Sequence, residues 1–250
     1  MKKVLVTGIT GQDGIFLTNT LLQKHKEFEI IGVSRNAKNN KAFFNNLNRV
    51  NNQINNFESI SLVDLNLLDL HDTSNFIQQL SPDYVVNLSG PSSVYKSFTD
   101  PLIPKSICSI FNNLTTALIE NNQFPNFYQA SSSEIFKESK FKLNEQSEFD
   151  PKSPYAVAKF KNHNKVFELR KKYDWNIISG IMFNHESEFR KNDYLIMKII
   201  QSAIKIKNNK QNILSLGSTS YIRDWSYSED IANAIYQIVV NGETGSYVIG

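Results

Sequence analysis

The chain has 250 residues, of which 40% are hydrophobic and 20% charged, with a net charge of +3 and one cysteine. That length holds one large domain, or a domain with a smaller lobe, and the composition is that of a globular protein. The charge is too small for a nucleic-acid binder, and the lone Cys108 excludes an internal disulfide and a cysteine-based zinc cluster.

No segment approaches the ~18 apolar residues that span a membrane. Thr7 and Gly8 interrupt the N-terminal apolar run too early for a secretion signal, so a cytoplasmic protein with no membrane partner is expected. In chain order, residues 3–7 (KVLVT) form a β-branched run that ends in a glycine turn, and 15–24 show helical apolar spacing. Strands are expected at 29–34 (EIIGVS) and 59–63 (SISLV), with an asparagine-rich tract at 39–56 between them. That tract reads either as a surface loop or as biased composition spread over ordinary structure. A capped helix follows at 69–80, a strand at 84–88 (YVVNL), a long helix at 103–121 and a strand at 126–130. Residues 154–171 are helical, 176–182 (NIISGIM) form a strand, and 245–250 (GSYVIG) read as a strand reaching the end of the sequence. The alternation predicts an α/β fold of the Rossmann type, a doubly wound parallel sheet with a smaller, C-terminally incomplete substrate lobe. Residues 1–182 are assigned to the dinucleotide-binding domain. Residues 183–250 are assigned to the start of the lobe together with elements returning to the sheet.

The turn TGITGQDG places Gly8, Gly11 and Gly14 between the first strand and the first helix. Glycines there permit a tight turn and close approach of a pyrophosphate, which the helix N-terminus attracts. Arg35, after the second strand, stands where an NAD site usually carries an acid, and either pairs with a 2′-phosphate, favouring NADP, or is a solvated loop residue. Asp64 and Leu65, after the third strand, either border an adenine or simply open a helix. The fifth strand ends in SSSE (131–134), beyond the carboxyl end where open parallel sheets bind ligands. The alternative there is a helix-capping box. In SPYAVAKF, Tyr155 and Lys159 share one helix face four residues apart, as a catalytic phenol beside a cation or as an ordinary surface pair. His185-Glu186 is not a zinc-helix motif because position 189 is phenylalanine, and no metal site is expected.

Together TGITGQDG, NLSGPSSVYKSF, QASSSEIF, SPYAVAK, GIMFNHESEFR and YIRDWSYSEDIANAIY resemble the extended short-chain dehydrogenase/reductase superfamily, and within it the GDP-mannose 4,6-dehydratase family. The resemblance implies redox-neutral dehydration of GDP-mannose to a 4-keto-6-deoxy sugar with tightly bound NADP. It gives Tyr155 the proton of the sugar 4-hydroxyl, and has Lys159 lower the phenol pKa and hold the nicotinamide ribose. Ser132 donates to the 4-oxygen, and Glu134 is the base at C5 and then the acid on the departing 6-hydroxyl. Cofactor contacts are implied for Gly8, Ile9, Thr10, Gly11, Gln12, Asp13, Gly14, Arg35, Asp64, Leu65, Leu88, Ser89, Gly90, Pro91, Ser92, Lys159, His185 and Arg190. Substrate contacts are implied for Asn184, Lys198 and Arg223.

The sequence departs from the family pattern at Asn36, Lys137, Glu188-Phe189 and Met197. Family members continue past residue 250, so part of the nucleotide-sugar pocket is expected to be missing. The alternatives are another nucleotide-sugar epimerase or dehydratase, and a non-catalytic NADP-binding subunit. A homodimer or homotetramer is expected, paired through the 103–121 and 154–171 helices. Ile107, Ile110, Leu114 and Leu118 form an apolar stripe that faces either such an interface or the chain's own sheet.

Overall fold

The short apolar runs become strands of one sheet in a computed structural model of the chain, which describes residues 1–25, 27–52 and 57–250. The described strands are β1 (Lys2–Thr7), β2 (Phe28–Ser34), β3 (Ile60–Asp64), β4 (Tyr84–Asn87), β5 (Asn126–Ala130), β6 (Ile177–Met182), β7 (Asn184–Glu186), β8 (Trp225–Tyr227) and β9 (Ser246–Ile249). The helices are α1 (Gln12–Lys24), α2 (Lys41–Val50), α3 (Leu70–Leu80), α4 (Val94–Ser97), α5 (Leu102–Glu120), α6 (Pro154–Tyr173), α7 (Leu195–Lys207) and α8 (Ser228–Asn241). Seven strands pair in parallel in the order β3-β2-β1-β4-β5-β6-β9, and β7 pairs with β8 separately. The order reverses between β1 and β4, which opens a crevice at the carboxyl ends of the strands.

Successive strand residues serve opposite faces. Val4 and Val6 enter the core under α1, α2 and α8, whereas Leu5 enters the core under α3, α5 and α6. Tyr128 and Phe127 divide in the same way on β5. Covered on both sides, the strands read as unbroken apolar runs.

Two open alternatives are decided. The asparagine-rich tract is an amphipathic helix at Lys41–Val50, capped by Asn40 and burying Phe43 and Leu47; residues 53–56 of that tract lie outside the described residues. The α5 stripe faces its own chain: Leu114 and Leu118 are fully buried among Leu5, Val85 and Phe127, Ile110 packs against the same core, and Ile107 lies against Tyr155 and Ala158. It is therefore not a surface for a second copy. Among the described residues no helix is long and apolar enough to cross a membrane.

Candidate active site

A cleft of about 650 Å³ lies over the carboxyl ends of β1, β4, β5 and β6. Its floor is the glycine turn. Gly8 has a φ of +70° and sits against the Leu88 and Ser89 backbone, so a side chain there is excluded by conformation and by space. A Cβ on Gly14 would collide with the Ile9 backbone, which lets α1 begin directly against the turn. Gly11 is the N-cap of α1 and provides no side-chain cap, leaving the first helical turn open to an anion. Gly8, Thr10, Gly11, Gln12 and Asp13 line the cleft, while Ile9 is a core residue.

The far wall carries Ser132, Glu134, Tyr155 and Lys159. Ser153 caps α6 by accepting from Ala156 N at 3.0 Å, and Ser97 Oγ accepts from Tyr155 N at 3.2 Å. The start of the helix is thereby fixed, and Tyr155 and Lys159 face the cleft with Nζ 5.7 Å from the ring centroid. Lys159 Nζ donates to the Ala130 carbonyl at 2.9 Å. Ser132 and Glu134 line the same cleft beside them. Ser132 Oγ accepts from Glu134 N at 3.3 Å, whereas the buried Ser131 hydroxyl has no partner, so no box forms between Ser131 and Glu134.

Burial sets the charges. It pushes the Tyr155 phenol up to about 12; the Ser132 hydroxyl and Arg190 act in the opposite sense, and Glu134 and Tyr194 add to the rise. Burial also brings Lys159 down to about 8, partly opposed by Asp13. Ser132 and Arg190 offset part of the cost of a buried phenolate.

The third wall follows β6. Gln12 ties it to α1 by donating to the His185 carbonyl at 3.1 Å and accepting from Ser187 Oγ at 3.0 Å. His185 Nδ1 donates to the Phe183 carbonyl at 2.7 Å, and Nε2 stands 3.1 Å from Asp13 Oδ1. That pair has ion-pair distance without hydrogen-bond geometry, since Asp13 Oδ1 is otherwise unpartnered. Burial lowers the His185 pKa, but Asp13 and the Phe183 carbonyl outweigh it and the net shift is upward. Arg190 lies 3.3 Å from Glu186 and stacks 3.9 Å over the Tyr194 ring.

Leu65, Leu88, Ser89, Gly90, Pro91, Ser92, Asn184, His185 and Arg190 all line the cleft, with the exposed Arg35 at its rim. Asp64 does not, and its carboxylate accepts from Lys38 N at 2.9 Å. Lys198 donates to the Ser215 carbonyl at 2.8 Å and Arg223 to the Ile222 carbonyl at 3.0 Å, both outside the cleft lining. Sequence reasoning missed a bridge across the mouth, made by Ser92 and Tyr194 hydroxyls at 2.7 Å and by Lys96 and Asp193 at 2.7 Å. No motif links these residues, which stand about a hundred positions apart.

The sheet order, the glycine turn and the Tyr/Lys helix define an extended dehydratase/epimerase fold of the short-chain dehydrogenase/reductase type. The dTDP-glucose 4,6-dehydratase DesIV of Streptomyces venezuelae, solved with NAD, has this fold at a TM-score of 0.83 and 19% identity, over 99% of this chain and 75% of that one. So does RMD of Pseudomonas aeruginosa, solved with NADPH, at a TM-score of 0.79 and 20% identity, over 100% of this chain and 77% of that one.

The family model for GDP-mannose 4,6 dehydratase matches residues 5–250. GDP-mannose 4,6 dehydratase 1 of Arabidopsis thaliana is 33% identical over 99% of this chain and 70% of its own length. The GDP-mannose 4,6-dehydratase of Vibrio cholerae is also 33% identical, over 99% of this chain and 67% of its own length. This chain belongs to the GDP-mannose 4,6-dehydratase family, a family of hydro-lyases.

Proposed function

We propose that the chain dehydrates GDP-mannose to GDP-4-keto-6-deoxymannose, with NADP as the bound cofactor. The observation that carries this reading is a single cleft lined by Ser132, Glu134, Tyr155 and Lys159 at one end and the open α1 turn at the other. The residues present fit a dinucleotide: Gly8 and Gly11 line the cleft at the open start of α1, where a diphosphate approaches, and the exposed Arg35 stands at the rim for a 2′-phosphate. Gly8, Gly11, Arg35 and Lys159 would hold the dinucleotide, which would supply a reversible hydride acceptor for the sugar carbons and positive charge in the site.

Tyr155 takes the proton of the sugar 4-hydroxyl, while Ser132 donates to the 4-oxygen and Lys159 holds the ribose. The C4 ketone acidifies the C5 proton. Glu134 removes that proton and delivers it to the departing 6-hydroxyl, so one carboxylate serves as base and then acid, and the proton Tyr155 took from the 4-hydroxyl, exchanged with solvent, restores C5 as hydride reaches C6. A 4-epimerase or a simple reductase needs no such group. Asn184, Lys198 and Arg223 are proposed contacts of the nucleotide sugar, with Lys198 and Arg223 reaching it only after the 195–224 segment moves. Residues 183–250 are taken as the substrate side, apart from α8 and β9, which pack with the dinucleotide-binding part. A cytoplasmic location accords with nucleotide-sugar chemistry. Pairing of copies into a homodimer or homotetramer is assigned to α5 and α6, as the resemblance implies.

The test is incubation with GDP-mannose and NADP, reading the alkaline absorbance of a 4-keto sugar. Its formation is expected. No product from GDP-mannose, with epimerisation of a UDP-sugar instead, would overturn the assignment; NADP binding with no turnover of any nucleotide sugar would mark a non-catalytic subunit.

A further inference from the structure

A buried chain of polar side chains joins the carboxyl ends of β1, β4 and β5 beneath the cleft. Thr7 Oγ1 donates to Asn87 Oδ1 at 2.6 Å, Asn87 Nδ2 to Gln129 Oε1 at 2.7 Å, and Gln129 Nε2 to the Ala130 carbonyl at 3.0 Å. All three side chains belong to residues no more than 2% exposed. The carbonyl at the end of this chain is the one that accepts from Lys159 Nζ at 2.9 Å.

The backbone fixes the direction of the chain at both ends. The Ser89 N–H, which only donates, reaches Asn87 Oδ1 at 3.3 Å, so the Asn87 NH2 is turned toward Gln129. The Ala130 carbonyl only accepts, so the Gln129 NH2 is turned toward it. Flipping either amide would set buried donor against donor or acceptor against acceptor. Gln129 therefore donates to the Ala130 carbonyl, which also accepts from Lys159, whichever way its amide is first assigned.

We propose that Gln129 is the positioning residue for Lys159, taking one lone pair of the Ala130 carbonyl so that the ammonium is held on the other, beside Tyr155. The proposal rests on the role given to Lys159 above and adds what sets that residue's place and proton affinity. A carbonyl shared by two donors holds each less firmly, and the positive end of the Gln129 amide points toward the ammonium. Both effects weaken the hold of Lys159 on its proton. The other charged or titratable groups acting on Lys159 are Asp13, which strengthens that hold, and the neighbouring Tyr155.

The test is the titration of Lys159 in the cofactor-free protein, followed by NMR of 13Cε-labelled lysine, with the resonance identified by its loss in Lys159→Met. Gln129→Met keeps the length of the side chain and removes the donor. Its Lys159 midpoint is expected to move up by about half a unit or more. Thr7→Val frees the Asn87 amide and is expected to shift the midpoint in the same direction by less, while Thr7→Ser restores the wild-type value. A folded Gln129→Met protein whose midpoint is unchanged or lowered overturns the proposal, because a merely structural amide would leave it there. Should Gln129→Met not fold, identical midpoints for Thr7→Val, Thr7→Ser and wild type overturn it instead. The readout needs no turnover, so the proposal and the dehydratase reading fail by different results.

Discussion

Lys159 Nζ lies 5.7 Å from the ring centroid of Tyr155 and is bonded to the Ala130 carbonyl, so the sheet, not the phenol, holds the ammonium. The burial that lifts Tyr155 to about 12 leaves it protonated at neutral pH in the cofactor-free protein. Removing the hydroxyl takes away the proton acceptor but no part of the glycine turn. Tyr155→Phe is expected to lower kcat by about 10²–10⁴-fold, with NADPH affinity, measured by fluorescence, nearly unchanged. Lost cofactor binding in a folded variant would contradict this placement of Tyr155.

In the proposed mechanism Glu134 is the group that separates dehydration from simple hydride transfer. Glu134→Gln keeps the shape of the side chain and cannot accept the C5 proton. The variant is expected to oxidise C4 while releasing no water, seen as NADPH-like absorbance in single turnover without a 4-keto-6-deoxy product. Dehydration at the wild-type rate would assign the base to another residue.

Gly180 lies against Tyr128, whose buried hydroxyl has no hydrogen-bond partner and occupies the space a Cβ would take. Gly180→Ala forces a shift in the middle of β6, next to β5. The expected cost is about 1–3 kcal/mol, read as a melting temperature lower by roughly 3–10 °C. Gly180→Ala paired with Tyr128→Phe should recover only a small part of that loss, because the hydroxyl is removed while the ring carbons Cζ and Cε2 remain in collision with the new Cβ.

His163 is buried among Phe149, Phe160 and Phe167, with Nδ1 2.8 Å from the Ser179 hydroxyl. Burial, aided by Arg170, brings its pKa down to about 4. Between the unfolded value near 6.5 and that lower value the unfolded chain binds a proton that the native protein refuses. Stability therefore falls as the pH drops through this window, by up to about 3 kcal/mol at pH 4. His163→Asn keeps a hydrogen-bonding group near Ser179 and removes the titration. Urea denaturation at pH 7 and pH 4.5 should show a smaller acid loss in the variant, and equal losses would place the sensitivity elsewhere.

Much of the sheet was legible because each central strand is buried on both faces and so reads as a short apolar run between turn residues. The expected strand at 126–130 coincides with β5, and that at 59–63 is displaced from β3 by one residue. α2 was not legible: asparagine dominates its sequence, and only Phe43, Leu47 and their neighbours reveal the amphipathic spacing. The α5 stripe showed which residues were apolar, but periodicity alone does not say which surface they cover, and here it is the chain's own sheet. Within the cleft, residues carried by contiguous motifs were readable. Asp193 and Tyr194, the partners of Lys96 and Ser92, were not, because their proximity to the motifs is created by the chain's return after β6. The Thr7–Asn87–Gln129 chain was hidden for the same reason, one polar residue on each of three strands meeting only through the sheet register.

The central claim is that hydride removed from one carbon of the sugar is returned to another within a single turnover. Incubation with GDP-mannose deuterated at C4, followed by mass spectrometry and NMR of the product, locates that hydride directly. The account predicts a 4-keto-6-deoxy product carrying deuterium at C6, with solvent hydrogen at C5. Deuterium retained at C4 in an epimerised sugar, or a product with no label at C6, would contradict it.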